Sequence, residues 1–310
     1  MTMLGSSGLA AGWPNAPVRI IVGTPVGGSP DANTRAVAEV IAQQHRQAFR
    51  VENRVGANGL LAFQALQASP ADGNTLAYFS QWNFYSMVLM QRTEVLDSFD
   101  YVTRMFDAPS LIVVGEKAPY ASLGDLLDAA RKAPGRLNYG SGGIGSPAHV
   151  GMAKLLLATK TEMQHVPFKG GAETAQALVG GQLDCGMVIP ATVRALLESK
   201  RLRPLAVTTR NRLPIMPNVP TVNEAAGIKD YEVTTWGGYV VRKGVPKPVL
   251  DMIYAAMAGA AKSPEVLEQV AKGGGNINLS RSPEEFARFY LAERAEAADL
   301  LKAIGLTPSN

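Results

Sequence analysis

Strand-like and helix-like segments alternate along almost the whole chain, and this alternation limits the possible folds more than any other feature. In the first 80 residues three apolar runs read as strands and two amphipathic runs as helices: strands at 18–22, 49–52 and 75–80, and helices at 31–47 and 59–68. A βαβαβ order with short loops predicts a parallel sheet with right-handed crossovers. The sequence therefore predicts an α/β protein.

A break in this alternation divides the 310 residues, a length sufficient for two domains. Consecutive strands at 101–105 and 111–115 have no helix between them. A second series follows, with helices at 123–132, 147–158, 172–179 and 192–199, and strands at 137–139, 164–167, 184–189 and 205–209. A long strand at 232–241 precedes helices at 246–262, 264–272 and 283–304, which we expect to pack back on the first unit. We predict one lobe from residues 13–110 plus 232–310, a second from 111–231, and a flexible N-terminal remnant at 1–12.

Composition argues against several classes of protein. Hydrophobic residues make up 46% and charged residues 18% of the chain, as in globular proteins. The net charge of +4 is scattered, without a basic run interleaved with aromatics, so no nucleic-acid partner is expected. The single cysteine, Cys185, rules out an internal disulfide and lies in an apolar run typical of a buried thiol. Three histidines beside it give no metal-ligand spacing, so we expect neither a metal nor another cofactor.

The N-terminal segment bears on where the protein is found. No run of about 18 or more apolar residues occurs in the chain, so we predict no transmembrane helix. Residues 1–12 are small and apolar but lack the basic start of a secretory signal. They are either the tail of a trimmed signal peptide or an unrelated remnant, and the sequence does not decide between the two.

The tripeptide Gly-Ser-Pro occurs twice, at residues 28–30 and 145–147, each time between a strand-like and a helix-like run. In both copies we expect Ser at the N-cap and Pro at the first helical position. The glycines that precede each helix allow backbone N–H groups to approach a ligand closely. A helix N-terminus carries unpaired donors and partial positive charge, so each loop is either a candidate anion site or an ordinary turn. Two such loops suggest a carboxylate held from both sides.

Residues 140–145 also match the dinucleotide-binding pattern G-x-G-x-x-G, with Glu162 at a suitable distance. A dinucleotide-dependent enzyme is therefore an alternative. Against it, Pro147 starts the helix after the last glycine, and Glu162 lies in a polar stretch rather than at a strand end. A hydrolase is less favoured, because no Gly-x-Ser-x-Gly motif is present and the spacing of Ser146 and His149 suits helix capping.

Two further segments could contribute to a ligand site. Trp82 follows the third predicted strand, where open α/β sheets face their ligand crevice, so it either stacks on a ligand or packs in the core. Phe168 and Lys169 precede two glycines and a helix start, which makes a weaker loop of the same type. Lys169 either neutralises a carboxylate or is simply solvated.

Taken in order, these motifs resemble those of the periplasmic substrate-binding proteins of tripartite tricarboxylate transporters, the Bug-type receptors. The matching features extend from about residue 13 to 305. They are Trp13-Pro14, residues 17–22, 27–31, 51–54 with Gly56 and Gly59, 71–76, 139–141, 145–146 with His149, 166–170, 205–208, 217–221 and 283–286.

The resemblance implies an α/β, two-lobed periplasmic-binding-protein fold of the Venus-flytrap, type II-like kind. Each lobe is expected to be a sheet flanked by helices, with the ligand in the cleft between the lobes. It also implies a periplasmic receptor, not an enzyme and expected to be a monomer, that captures a small carboxylate and presents it to a membrane permease. A solute sensor for a signalling partner is a further alternative that the sequence does not exclude.

The resemblance also implies roles for individual residues. First-lobe donors are expected from Gly27, Gly28 and Ser29. Second-lobe donors are expected from Ser141, Gly142, Gly145 and Ser146, with His149 on the adjoining turn. Trp82, Phe168 and Val188 are expected to shape the distal pocket. The complete predicted ligand-binding set is Thr24, Val26, Gly27, Gly28, Ser29, Asp31, Ser80, Gln81, Trp82, Ser141, Gly142, Gly145, Ser146, His149, Phe168 and Val188.

Three departures from the family pattern suggest the type of ligand. Residues 24–26 replace a Phe-Pro-Pro run, and residues 81–82 replace a small glycine or histidine. Val188 stands where an acidic residue of the family can meet the distal end of a ligand. These changes predict a more apolar, more aromatic cleft and, with it, an aromatic or apolar mono- or dicarboxylate such as a benzoate- or phthalate-like acid.

Overall fold

The computed structural model describes residues 12–303 and residue 305, which form two β-sheets with helices on both faces of each sheet. The predicted remnant at residues 1–12 lies outside the described residues, apart from Gly12. In chain order the strands are β1 (Val18–Val22), β2 (Phe49–Asn53), β3 (Thr75–Ser80), β4 (Phe99–Pro109), β5 (Leu111–Gly115), β6 (Asn138–Ser141), β7 (Gln164–Pro167), β8 (Cys185–Val188), β9 (Leu202–Val207), β10 (Thr234–Arg242) and β11 (Asn276–Ile277).

The helices agree with most of the predicted helical segments. In chain order they are α1 (Ser29–His45), α2 (Leu60–Gln67), α3 (Gln81–Leu89), α4 (Thr93–Leu96), α5 (Leu123–Lys132), α6 (Pro147–Thr159), α7 (Gly171–Val179), α8 (Pro190–Glu198), α9 (Val222–Ala226), α10 (Lys247–Ala260), α11 (Pro264–Lys272) and α12 (Pro283–Ala303). Within the described part of the chain, none of these helices is both long and apolar enough to cross a membrane.

The first sheet has the strand order β11-β4-β10-β3-β1-β2. Strand β1 pairs in parallel with β2 and β3, as the βαβαβ order predicts. Strand β10 lies antiparallel between β3 and β4, so the whole sheet is mixed, although its first three strands are parallel as predicted. The reason is that β10 enters this sheet only after the chain has completed the second sheet, and it runs in the opposite direction.

The second sheet has the order β7-β6-β8-β5-β9. Strand β6 is parallel to β7 and β8, whereas β5 is antiparallel to β8 and β9. The chain passes from the first sheet to the second at Ser110 and returns through residues 208–233. Each sheet thus takes its strands from its own parts of the sequence. The exact boundaries of the two lobes remain a prediction.

One buried threonine joins the two crossing segments. Thr208 Oγ1 accepts a hydrogen bond from Ser110 N–H (3.0 Å), and Thr208 N–H donates to Ser110 O (3.0 Å). On the other side Val233 N–H donates to Thr208 O (2.9 Å), and the Thr208 hydroxyl lies 2.5 Å from Val233 O. The outgoing and returning segments are therefore hydrogen-bonded to each other where the chain passes between the sheets, next to the pairs Thr234–Pro109 and Leu111–Val207.

Both faces of the first sheet are covered by apolar helix surfaces. On one face α1 and α10 contribute Val37, Ile41 and Ile253 to the core. On the other face α12 contributes Phe286 and Tyr290 together with residues of α2 and α3. The C-terminal helices thus pack back on the first sheet, as expected from the sequence.

Two features of the fold bear on the site. Helix α3 follows β3 directly and is capped by reciprocal bonds between Ser80 and Asn83, so it forms although the sequence predicts no helix there. Cys185 is fully buried, and burial raises the pKa of its thiol, as expected of a structural cysteine. Among the described residues no group of three or more His, Cys, Asp and Glu side chains could hold a metal ion.

Candidate ligand-binding site

A cavity of about 550 Å³ lies between the two sheets, beyond the carboxyl ends of β1 and β3. Ligands of open α/β sheets bind in this position. Most of the wall comes from the side of the first sheet, and Pro147 and Ile189 contribute from the side of the second. The start of α1 and the start of α6 both reach the wall, through Ser29 and Pro147.

Aromatic side chains form part of the wall. They belong to Tyr78, Trp82 and Phe106, whereas Trp236 borders the cavity with its ring packed on Phe79, Phe286 and Phe289. Within the described residues, the wall contains no lysine, arginine or histidine. Its one acidic residue is Asp107, which follows Phe106 on β4 and so directs its side chain to the opposite face, where it accepts a hydrogen bond from an asparagine amide. The cavity is therefore apolar and without side-chain cations.

A glycine makes room for one of these aromatics. A Cβ atom on Gly237 would lie only 2.0 Å from the hydroxyl oxygen of Tyr78. Such a separation is impossible for two non-bonded heavy atoms, so the position of Tyr78 in the wall requires glycine opposite it. Strand β10 thus helps to shape a cavity formed mainly by elements that precede it in the chain.

Asp31 organises the loop between β1 and α1, residues 23–28. It is 2% exposed, and its carboxylate accepts hydrogen bonds from Gly27 N–H (2.9 Å), Arg35 Nε (3.1 Å) and Asn53 Nδ2 (2.9 Å). Burial raises the pKa of Asp31, but the bonds from Arg35, Gly27 and Asn53, with the charge of Arg35, outweigh burial and hold the pKa below its ordinary value. Asp31 supports the loop from within the helix.

The start of α1 differs in detail from the expectation. The N-cap is Gly28, not Ser29, and Ser29 is the first helical residue. This end has no side-chain cap, and Asp31 in the first turn instead reaches back to accept the N–H of Gly27 in the loop. The first N–H groups of a helix have no acceptor within the helix. At the start of α1, Gly28 N–H donates to Pro25 O at 3.4 Å, and the remaining N–H groups without an intrahelical acceptor are those of Ser29 and Asp31.

The start of α6 agrees with the expectation. Ser146 is the N-cap, its Oγ accepts a hydrogen bond from His149 N–H (3.3 Å), and Pro147 is the first helical residue. Behind it, Ser141 Oγ lies 2.7 Å from His165 Nε2, and Gly145 N–H donates to His149 Nδ1 (3.1 Å). This loop is held together by its own side chains.

The two histidines of this network are stacked. The rings of His149 and His165 are 3.7 Å apart and nearly parallel, at 10°. Burial lowers the pKa of His149 to about 4, with a further contribution from His165, and burial lowers the pKa of His165 to about 4. Both rings are therefore neutral at pH 7, as the bond accepted by His149 Nδ1 requires.

The structure brings only part of the predicted set to the cavity wall. Thr24, Ser29, Ser80 and Trp82 line the wall. The remaining predicted residues lie elsewhere. Ser141, Ser146 and His149 are buried behind the start of α6, Gln81 borders a neighbouring polar cavity, Phe168 lies by α7, Val188 is in the core of the second sheet, and Val26 is 72% exposed.

Sequence reasoning missed several wall residues. Asn33, Tyr78, Phe106 and Trp236 all line the cavity but were not predicted to do so. For Asn33 a signal existed, since this polar residue lies one turn before Val37 on the apolar face of α1. Phe106 lies one residue beyond the predicted end of its strand.

The glycines of residues 140–145 have structural roles. A Cβ on Gly140 would lie 2.4 Å from Leu183 Cδ1, and a Cβ on Gly145 would lie 2.6 Å from Leu89 Cδ1. Gly140 therefore serves close packing inside the second sheet, and Gly145 allows α6 to approach α3. Because the helix also begins after the last glycine, the loop does not have the geometry of a dinucleotide site.

A family model described as "Tripartite tricarboxylate transporter family receptor" matches residues 33–306. Among curated proteins, the chain is 31% identical to a UPF0065 protein in the tcbD-tcbE intergenic region of Pseudomonas sp. (strain P51). That alignment covers 91% of this chain and 84% of the relative. The family match extends across both sheets, from β2 to β11.

Solved structures of related proteins show the same fold. A TctC solute binding protein from Polaromonas, solved with no ligand, has a TM-score of 0.82 and 26% identity, covering 94% of this chain and 99% of that chain. Rpa4515 from R. palustris, solved with adipate, has a TM-score of 0.79 and 27% identity, with 95% and 99% covered. This chain therefore has the periplasmic-binding-protein fold and belongs to the tripartite tricarboxylate transporter receptor family of solute-binding proteins.

Proposed function

We propose that this chain is a periplasmic receptor that captures a small carboxylate with an aromatic or apolar body between its two sheets. It delivers this ligand, as a monomer, to a tripartite tricarboxylate-type transporter in the membrane. The observation that carries the proposal is the cavity of about 550 Å³, in which two helix starts meet a wall of aromatic side chains.

The carboxylate binds at the start of α1. The N–H groups of Ser29 and Asp31 are free of intrahelical acceptors, and the helix end carries partial positive charge. No side-chain cation is needed for this, which agrees with the wall of the described cavity. Pro147 brings the start of α6 to the opposite side, so closure around the ligand brings the second loop, with Ser141, Gly142, Gly145 and Ser146, against it. Gly145 N–H and Ser146 N–H are already hydrogen-bonded within this loop, so Gly142 N–H is the donor that we expect to meet the ligand.

The body of the ligand lies against the aromatic wall. Trp82 is 40% exposed at the cavity, an unusual exposure for a large apolar ring unless a ligand covers it. Tyr78 and Phe106 offer ring faces and edges for stacking. The adipate described with the relative from R. palustris is a carboxylate with an apolar chain, which supports the same division into a charged end and an apolar body.

A thermal-shift panel tests this proposal. We expect benzoate, phthalate or adipate to raise the melting temperature, since a ligand at about 100 times its Kd stabilises the folded state by about 2.7 kcal/mol. The control ligands are citrate, aspartate and glutamate at the same concentration and pH. Stabilisation by these three acids, with no response to aromatic or apolar acids, contradicts the proposed ligand class.

The enzyme alternative is tested separately. NAD is titrated while the fluorescence of the three tryptophans is followed. We expect no quenching by NAD at concentrations at which a stabilising carboxylate changes the emission. Saturable quenching by NAD, competed by NADH, contradicts the receptor proposal and restores a dinucleotide site.

A further inference from the structure

Asn33 carries a buried polar atom that the protein itself does not satisfy. The residue is 8% exposed, lines the cavity between the sheets, and its Oδ1 has no hydrogen-bond partner. Buried side-chain amides are nearly always hydrogen-bonded, because an unpaired amide loses its water without compensation. A group that enters the cavity therefore accounts for the unsatisfied side chain.

The residues around Asn33 limit which group of a ligand can pair with its amide. Its neighbours along the same face of α1 are Val37 and Ile41, and the nearby wall includes Phe106 and Val270. The amide is thus one of the polar side chains in a wall that is mostly apolar. The unpaired atom is an amide oxygen, which only accepts, so the missing partner is a hydrogen-bond donor such as a hydroxyl or an amide N–H.

The helix fixes where that partner must lie. Ser29 and Asn33 both line the cavity and are four residues apart on α1. At 1.5 Å per residue they are about 6 Å apart along the helix axis. A carboxylate at the start of α1 therefore places the far side of a single aromatic ring near Asn33.

We infer that Asn33 forms a hydrogen bond with a second, neutral polar group of the ligand, at the end opposite the carboxylate. This inference rests on the proposed function and narrows its ligand class to para-substituted aromatic carboxylates that carry a hydroxyl or amide. A second carboxylate fits less well, because the described wall offers no cation to neutralise it. Thr24 Oγ1, also in the wall and without a partner, provides a further contact for the same ligand.

Calorimetric titration with two ligands of matched shape tests the inference. The probes are 4-hydroxybenzoate and 4-methylbenzoate, which differ in one hydrogen-bonding group. For the unaltered protein we expect about tenfold tighter binding of 4-hydroxybenzoate, the equivalent of one well-formed hydrogen bond. In Asn33→Leu we expect this ratio to fall to about one or to reverse, since leucine has a similar size and no polar atom.

Controls separate the possible outcomes. Asn211→Leu changes an exposed asparagine far from the cavity, and its ligand ratio should equal that of the unaltered protein. If Asn33→Leu does not fold, Asn33→Asp replaces it, and its added negative charge should weaken both acids while the preference for the hydroxyl persists. Equal affinities for the two probes in the unaltered protein, or an unchanged ratio in Asn33→Leu, overturn the inference alone. Failure of every carboxylate in the panel to bind overturns the proposed function and the inference with it.

Discussion

Acidification should weaken the protein through one histidine behind the second loop. His149 is 4% exposed, its Nδ1 accepts the N–H of Gly145, and burial lowers its pKa to about 4. In the unfolded chain its pKa is the ordinary value near 6.5. As the pH falls below 6.5, the unfolded chain takes up the proton before the folded protein does. The free energy of unfolding therefore decreases over the window from about pH 6.5 to pH 4.

The size of this effect follows from the two pKa values. Above pH 6.5 the neutral ring of His149 contributes its full amount to the free energy of unfolding. Between pH 7.5 and pH 4.5 this free energy falls by about 2.5 kcal/mol, given 1.36 kcal/mol per pKa unit. Burial lowers the pKa of His165 to about 4 as well, so it adds a loss of the same sign over the same pH window. The loss is largest near pH 4 and does not grow further below it.

Urea denaturation followed by tryptophan fluorescence at pH 7.5 and pH 4.5 measures this loss. His149→Asn keeps an acceptor for Gly145 N–H but cannot be protonated, so its unfolding free energy should fall about 2.5 kcal/mol less than that of the unaltered protein. His45→Asn, at the exposed end of α1, is the matched control and should behave like the unaltered protein. An identical pH dependence in His149→Asn and the unaltered protein would refute the reasoning.

Three further predictions concern the cavity and its loops. Gly237→Ala should displace Tyr78, lower stability by about 1–3 kcal/mol in urea denaturation and weaken ligand binding, whereas unchanged stability contradicts the packing argument. Asp31→Ala removes the acceptor for a backbone N–H and two side chains of the first loop and should cost about 1–3 kcal/mol, with loss of ligand affinity, by the same measurement. Gly28→Val and Ser146→Pro should each abolish ligand binding in calorimetry and leave a circular dichroism spectrum of the folded protein; unchanged affinity in both contradicts a carboxylate held from two sides.

Much of the fold could be predicted because each element has a local signal. The helical periodicity of the sequence predicts α5 and α11 with the observed bounds, and apolar runs predict β1 and β3. The place of β10 between β3 and β4 could not be predicted, since it depends on pairings between residues at least 125 positions apart. Helix α3 was missed because its start is a capping box on a run of mixed aromatic and polar residues.

The site could be predicted only where a motif marks the backbone. The two helix starts were found from their glycines and prolines, and Trp82 from its place after a strand. Val188 was expected at the ligand, but in the structure the residue after it, Ile189, reaches the wall, because a shift of one position turns a strand residue to the other face. Which side of each strand faces the cavity is a tertiary property that single motifs do not carry.

The hydrogen bonds of Thr208 affect the apparent affinity of this protein for its ligand. Because the outgoing and returning segments are hydrogen-bonded to each other there, we expect the two sheets to move relative to each other by rotation about this connection rather than by sliding. Opening and closing then form a two-state equilibrium, and the apparent affinity for any ligand is scaled by the fraction of molecules that can close. A change at Thr208 alters that fraction, so it should multiply the affinities of all ligands by one common factor while their order of preference is conserved. Selectivity and sensitivity are in this way set by different parts of the chain.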